Sequence, residues 1–217
     1  MRIGTWNLDG CWDSRRERLM EQQRCDVWLL TEVKEDLEVD GYKPHLTEGW
    51  MVKAQRKRWA GILSREPLFK LADPHPAGVL ARVGEFHFCS SILPWRSSGG
   101  EPPWDGKTNA ERTLAALNSL LGHLPQAGLI WGGDWNHAFS GPEVAGSLAG
   151  RKHIRDAVTK LQLKVPTEEL PHHLPGLLTI DHIAVGEAVD VVSAKRIEAS
   201  EDGRRLSDHD MYVVEIR

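Results

Sequence analysis

The chain has 217 residues, 41% hydrophobic and 27% charged, with 27 Lys and Arg against 31 Asp and Glu for a net charge of −4. That length is enough for a domain burying ~70% of its unfolded surface without disulfide or metal staples. The composition excludes a low-complexity or disordered chain, and the charge excludes a uniformly basic nucleic-acid coat while leaving room for a local basic groove.

In chain order, residues 2–8 alternate like a strand and stop at Asp9-Gly10, a turn pair. Ser14 is placed to cap a helix over residues 15–24, with Glu17 as its capping-box partner. Residues 26–31 (DVWLLT) form a short continuous apolar run, read as a buried strand. A loop with Gly41 and Pro44 follows. Residues 50–54, 59–64, 77–83 and 85–93 read as strands broken by turn residues, and 94–107 as a loop rich in Pro, Gly and Ser. Residues 109–121 carry Leu114, Leu117, Leu120 and Leu121 at helical spacing. Residues 128–133 (GLIWGG) form another buried strand, 140–150 a loop with room for a helical turn, and 152–163 a second amphipathic helix. Residues 179–185, 189–197 and 211–216 are the closing strands. Strand runs with few, segregated helices imply mixed α and β structure rather than a regular parallel βαβ series. No linker is visible, so residues 1–217 are expected to form one domain.

Cys11, Cys25 and Cys89 are odd in number and widely spaced, which argues against a disulfide framework. The N-terminus runs straight into strand pattern without an apolar leader, and no apolar run approaches the ~18 residues of a membrane span. A cytoplasmic protein without membrane contact is expected. The nine Trp are expected mostly in packing roles.

Polar residues gather at strand ends. Asn7 and Asp9 close the first strand and Glu32 follows the second. Asp134 and Asn136 follow GLIWGG, Asp181 interrupts an apolar strand, and Asp208 and His209 precede the last strand. Burying such groups singly costs several kcal/mol, so they are expected to converge on one another or on a cation. Carboxylates suit a hard cation, and amides and imidazole suit phosphate oxygens.

TWNLDG (5–10), LLTEV (29–33), WAGILSR (59–65), GGDWNH (132–137), IDHIAV (180–185) and LSDHDMYVVEI (206–216) occur in an order that resembles the endonuclease/exonuclease/phosphatase family. That family spans DNase I-like nucleases, abasic-site endonucleases, inositol-phosphate phosphatases and sphingomyelinases. The resemblance covers nearly the whole chain. It implies an α/β four-layer sandwich, with two mainly antiparallel β-sheets flanked by helices. It also implies a Mg²⁺-dependent phosphodiesterase, Mn²⁺ substituting, that acts on nucleic acid by in-line attack of water.

Carried over residue by residue, the resemblance makes Glu32 the principal metal ligand, with Asn7 beside it and Asp9 as an additional carboxylate. Asp134 would activate the water, and Asn136 would fix that water or a phosphate oxygen. Asp208 would assist metal or water. His209 would hold the phosphate, with Asp181 accepting its ring N–H. One departure stands out. After residues 85–93 the family has a His or Tyr that assists the phosphate and leaving group, and here Ile92 occupies that place. Arg96 or the Ser91 hydroxyl is a possible substitute.

Some residues read more plainly. His172-His173, in a Pro-flanked loop, are expected to be solvated, His182 to be structural and Asp210 to lie at the surface. The clusters Arg56-Lys57-Arg58 and Arg204-Arg205 are a solvated face or, more sharply, contacts to a phosphate backbone. Trp95 and Trp104 either stack on a base or pack their loop onto the body. Two alternatives to a nuclease stay open. One is a hydrolase of a small or lipid phosphoester. The other is a catalytically silent member that binds nucleic acid or a protein partner.

Overall fold

The computed structural model describes all 217 residues. In chain order the elements are β1 (Arg2–Asn7), α1 (Ser14–Gln23), β2 (Val27–Lys34), β3 (Lys43–Leu46), β4 (Trp50–Val52), β5 (Lys57–Ser64) and β6 (Leu68–Lys70). Then come β7 (Gly78–Val83), β8 (Phe86–Ser91), α2 (Asn109–Leu121), β9 (Leu129–Asp134), α3 (Leu148–Lys160) and β10 (Leu163–Lys164). The chain closes with β11 (Asp181–Gly186), β12 (Val191–Ile197), the short hairpin β13 (Ser200–Glu201) and β14 (Arg204–Arg205), and β15 (Met211–Ile216).

The strands form two main sheets. The first runs β12-β15-β1-β2-β5-β3, with β4 also on β5, and the second runs β10-β11-β9-β8-β7-β6. Each holds one parallel pair, β1 with β2 and β8 with β9, and every other pairing is antiparallel. Both parallel pairs are joined through a helix, as a parallel crossover requires: α1 in the first sheet, α2 in the second. The expected sandwich of two mainly antiparallel sheets flanked by helices is borne out.

Side-chain alternation sorts the residues into layers. Ile3, Leu29, Ile62, Val79, Phe88, Ile130, Ile183 and Val214 fill the space between the sheets. The opposite face of the first sheet, with Trp6, Trp28 and Leu30, takes Leu19 and Met20 of α1. The opposite face of the second, with Leu80, Cys89 and Trp131, takes Leu117 and Leu120 of α2 and Ile154 and Val158 of α3. Each of these leucines contributes roughly 2 kcal/mol by burial. The same alternation gives Asn7 the parity of Ile3, Asp134 that of Ile130, and Asp181 that of Ile183. All three therefore reach inward at the edge of the sandwich.

Several local expectations are corrected. Asp13, not Ser14, caps α1, its carboxylate accepting from the Arg15 and Arg16 N–H groups. The segment around Pro44 is strand β3, not loop. It ends the sheet order, and an edge strand tolerates Pro. Residues 50–54 are a three-residue strand followed by a 3₁₀ turn over Lys53–Gln55. The short edge strand β6 lay outside the expected set. Helix α3 begins at Leu148, inside the expected loop, because Ser147 caps it by accepting from the Gly150 N–H. Helix α2 has the expected bounds, set by a Thr108–Glu111 capping box.

Candidate active site

The site forms where the C-terminal ends of β1, β2 and β9 meet the N-terminal end of β11 and the loop before β15. Asp134 and Asp181 are direct antiparallel partners, so their side chains leave the ladder together. Gly133 lets β9 approach β8 closely just before Asp134. A Cβ there would lie 2.2 Å from the Ser91 carbonyl oxygen, and its φ of +125° is open mainly to glycine.

Asn7, buried at the end of β1, ties the two sheets together. Its Nδ2 donates to Glu32 Oε1 at 3.1 Å and to Asp134 Oδ2 at 3.0 Å, and its Oδ1 accepts from the Asp9 N–H at 2.9 Å. Asp134 Oδ1 accepts from the Asn136 N–H at 3.0 Å, and Asn136 Nδ2 donates to the Leu93 carbonyl at 3.0 Å. His209 Nδ1 lies 2.7 Å from Asp181 Oδ2, while its Nε2 faces Asp134 Oδ2 at 3.9 Å and Asp208 Oδ1 at 4.0 Å. Ser207 fixes this last loop by donating to the Asn7 carbonyl and accepting from the His209 N–H. Asp9, Glu32 and Asn136 all adopt left-handed backbone, at φ of +51°, +53° and +53°. Such non-glycine outliers cost about 1–3 kcal/mol each and persist only where surrounding structure enforces them.

The electrostatics follow from burial and crowding. Burial pushes Asp134 up to about 7. His209 opposes that rise, and the neighbouring charges of Asp181 and Glu32 add to it. Burial alone would depress His209, yet Asp181 and Asp134 overcome it and hold the imidazole protonated well above its usual range. Asp9 is raised by burial, then by Asp208 and Glu32. Glu32 and Asp208 therefore both bear on Asp9, an excess of negative charge that a cation would relieve.

One cluster has the spacing of a cation site. Asp134, Asp181 and His209 present ligand atoms that all lie within 4.8 Å of one another, and Asp181 Oδ1 is buried without a protein partner. That group has the donors and spacing to hold a metal. Ligation there would require a neutral imidazole, which the two carboxylates disfavour. Glu32, Asp9 and Asp208 offer oxygen donors alone, the kind a hard cation prefers, without the close mutual spacing of the first group. Asn7 keeps its oxygen engaged with Asp9 and serves as a bridge.

Lys57 was expected only within the cluster Arg56-Lys57-Arg58, as a solvated face or a phosphate-backbone contact, not as a partner of Glu32. Its Nζ sits 2.6 Å from Glu32 Oε2. No local motif marks it, because it arrives by the pairing of β5 with β2. The other basic residues of interest are engaged elsewhere. Arg96 donates from Nε to the Gly146 carbonyl and from Nη2 to the Glu143 carbonyl, pinning two loops together. Arg56 and Arg58 pair with Glu35, and Arg205 with Asp210. Asp210 is buried, contrary to the surface expectation. It accepts from Arg196, Arg205 and the Ala199 N–H. Ile92 is buried in the outer core and carries no donor, and the Ser91 hydroxyl accepts from Trp131 Nε1. Trp104 packs against Trp59 and His75. His182 is fully buried between Thr167 and the His137 carbonyl, as a structural residue.

The loop read as solvated around His172-His173 instead lines a cavity of about 330 Å³ that opens beside His209 and Asp208. Its walls include Ala138, Val144, Leu174, Leu178 and Ile180. Alternating Leu and Pro around the two histidines was the one signal in sequence, and it reads equally as an ordinary loop.

Residues 4–209 match the model of the Endonuclease/Exonuclease/phosphatase family. Among solved structures, an AP endonuclease from Archaeoglobus fulgidus superposes with a TM-score of 0.72 at 12% identity, over 100% of this chain and 99% of that one. A 3′-5′ exonuclease from Neisseria meningitidis, NExo, gives 0.69 at 17% identity, over 100% and 99%. A structure of the 3′ phosphatase NExo from Neisseria bound to a product DNA hairpin gives 0.72 at 17% identity, over 100% and 99%. At these identities the likeness is one of fold. No curated protein matches by sequence.

Proposed function

This chain belongs to the endonuclease/exonuclease/phosphatase family of phosphoester hydrolases, and we propose that it is a Mg²⁺-dependent phosphodiesterase acting on nucleic acid. The observation that carries the reading is the Asn7 bridge. One amide nitrogen contacts Glu32 and Asp134 from opposite sheets, with His209 alongside. A carboxylate suited to a cation, one suited to a water molecule and a phosphate-binding imidazolium thus share one edge of the sandwich.

In this reading Glu32, with Asp9 and Asp208, holds Mg²⁺, and Mn²⁺ substitutes. The bound cation supplies charge withdrawal from the phosphate oxygens. Asp134 takes the proton of the attacking water, and its burial, which raises its proton affinity, suits a general base. The Asn136 N–H and Asn7 Nδ2 orient the Asp134 carboxylate. His209, kept protonated by Asp181, donates from Nε2 to the phosphate as negative charge gathers. The apolar cavity beside His209 would receive a sugar or base flanking the scissile bond. Residues 1–217 act as one domain, an assignment supported by the core shared between the sheets. No helix is long and apolar enough to cross a membrane. The free thiols Cys11, Cys25 and Cys89 favour a reducing, cytoplasmic setting.

The cavity also favours a second reading, a small or lipid phosphoester, because its apolar mouth includes the exposed Val144 and Leu174. A silent binding protein is disfavoured by the number of polar groups ordered around one point. The test is hydrolysis of single- and double-stranded DNA, RNA and bis-p-nitrophenyl phosphate with Mg²⁺ or Mn²⁺, with Glu32→Ala as control. Cation-dependent cleavage of a polynucleotide by the wild type alone is the expected result. Cleavage of small esters only would favour the second reading, and binding without turnover the third.

A further inference from the structure

Five carboxylates border the site, and Ile92, buried in the outer core, contributes no donor toward a phosphate. The positive charges at hand are His209, Lys57 and Arg16, the last of which is tied to Asp13 and the Leu206 carbonyl. Lys57 is held from two sides. Its Nζ donates to Glu32 Oε2 at 2.6 Å, with the two side chains only 12% and 19% exposed. Its stem lies over Gly10, where a Cβ would come 2.6 Å from Lys57 Cε. Gly10, at φ +60° in the turn after β1, therefore makes the channel through which the lysine reaches the site. On the ladder Lys57 stands opposite Lys34, which sends its own Nζ away to the Gln55 carbonyl. That leaves Lys57 diagonal to Glu32, within reach of a long side chain.

A half-buried ammonium without a partner costs several kcal/mol, so this contact is a requirement of the fold before any ligand arrives. It is also a contact that can be exchanged. Lysine carries a point charge on a flexible stem, without the fixed fork of arginine. Glu32 is the same carboxylate that the proposed function gives to a divalent cation. Two cations competing for one carboxylate oppose each other's binding. An ammonium released there, beside a channel that restricts where it can go, has the incoming phosphate as its nearest alternative anion.

We propose that Lys57 is a two-position residue. It neutralises Glu32 while no divalent cation is bound, and it turns to the substrate phosphate once a cation claims that carboxylate. The inference rests on the phosphodiesterase reading and adds a residue, a competition and a phosphate contact to it. Lys57 thereby lowers the affinity for free cation and raises that for substrate.

The test measures Mn²⁺ binding by calorimetry, without substrate, on wild type, K57M, K57R and E32Q. It adds KM and kcat for bis-p-nitrophenyl phosphate at saturating Mn²⁺, with thermal unfolding to verify folding. In K57M, which keeps the apolar stem, Mn²⁺ binds about tenfold tighter than in wild type and KM rises about tenfold. In K57R, which keeps the charge but can fork onto Glu32, Mn²⁺ binds no tighter than in wild type and KM rises less than in K57M. E32Q loses Mn²⁺ binding. Mn²⁺ affinity in K57M equal to or weaker than wild type, or an unchanged KM, would overturn the proposal. If K57M does not fold, K57Q takes its place under the same criteria. A wild type that binds Mn²⁺ and cleaves the diester, beside a K57M indistinguishable from it, removes the Lys57 role and leaves the phosphodiesterase reading standing. A wild type that does neither removes both.

Discussion

Around His209 the polar groups hold one another. Asp181 takes one ring nitrogen, Asp134 faces the other, and Asn7 and Asn136 donate to Asp134. Around Glu32 the groups repel. Asp208 and Glu32 both raise the cost of charging Asp9, Asp9 and Asp208 stand exposed, and Lys57 and Arg16 supply counter-charge. The first region is ordered by its own hydrogen bonds. In the second, Glu32 is held by Asn7 and Lys57 while Asp9 and Asp208 add negative charge beside it, an excess that an added cation would offset. Asn7 touches both and sets their separation.

The comparison breaks if the two regions fail together. Glu32→Ala is expected to lose both Mn²⁺ binding and ~10³ in kcat. His209→Ala and Asp134→Asn are expected to lose ~10²–10³ in kcat while keeping Mn²⁺ affinity within about threefold. Calorimetry beside single-turnover cleavage decides this. A common loss of metal binding would show one shared centre instead of two regions.

A smaller effect lies outside both regions and serves as their reference. Burial holds His75 down at about 4, below the 6.5 of the unfolded chain. As pH falls from about 6.5 to about 4 the unfolded chain takes up a proton that the folded one refuses, so stability is lost across that window. The loss from this one group approaches about 3 kcal/mol. His75→Asn keeps an acceptor for the Ala77 N–H and should flatten that limb of the urea-unfolding profile. A profile unchanged by the substitution would assign the acid sensitivity to other buried histidines, His182 first among them.

Next in size, Asp210→Ala leaves Arg196 and Arg205 without their buried carboxylate. We expect about 2 kcal/mol lower stability in denaturant melts, with kcat within about threefold. A large kcat loss would mean that Asp210, as well as Asp181, sets the posture of His209. Smallest, Asp208→Asn should reduce kcat about three- to tenfold, because its side chain is 70% exposed and its charge is screened. A thousandfold loss would promote it to a principal ligand.

What sequence showed and what it hid follow from the range of the interactions. Asn7, Glu32, Asp134, Asn136, Asp181 and His209 were legible because each ends or flanks an apolar run. Strand alternation then fixes the direction in which Asn7, Asp134 and Asp181 point. The main strands and α2 were legible from the same periodicity. β3 was hidden by Pro44, a residue that excludes interior strands but not edges. Residues 148–151 were hidden by Gly150, which argues against helix unless the Ser147 cap is recognised. Asp210 was hidden because its partners Arg196 and Arg205 meet it only when β12 and the β14 loop fold back on β15. Lys57 and the cavity at His172-His173 depend on register and loop path, which no short window of sequence encodes.

The left-handed backbone at Asp9, Glu32 and Asn136 has a consequence for how this chain can change over time. At each of these positions glycine would relax the main chain, and at each it would delete a side chain that the site requires. Mutation under selection for thermal robustness alone would therefore erode this pocket before the surrounding core, whose residues gain nothing by becoming smaller. Four other non-glycine residues, Arg24, Arg56, Gln162 and Asp202, share this backbone away from the pocket, so the trade between relaxed backbone and retained side chain is specific to Asp9, Glu32 and Asn136.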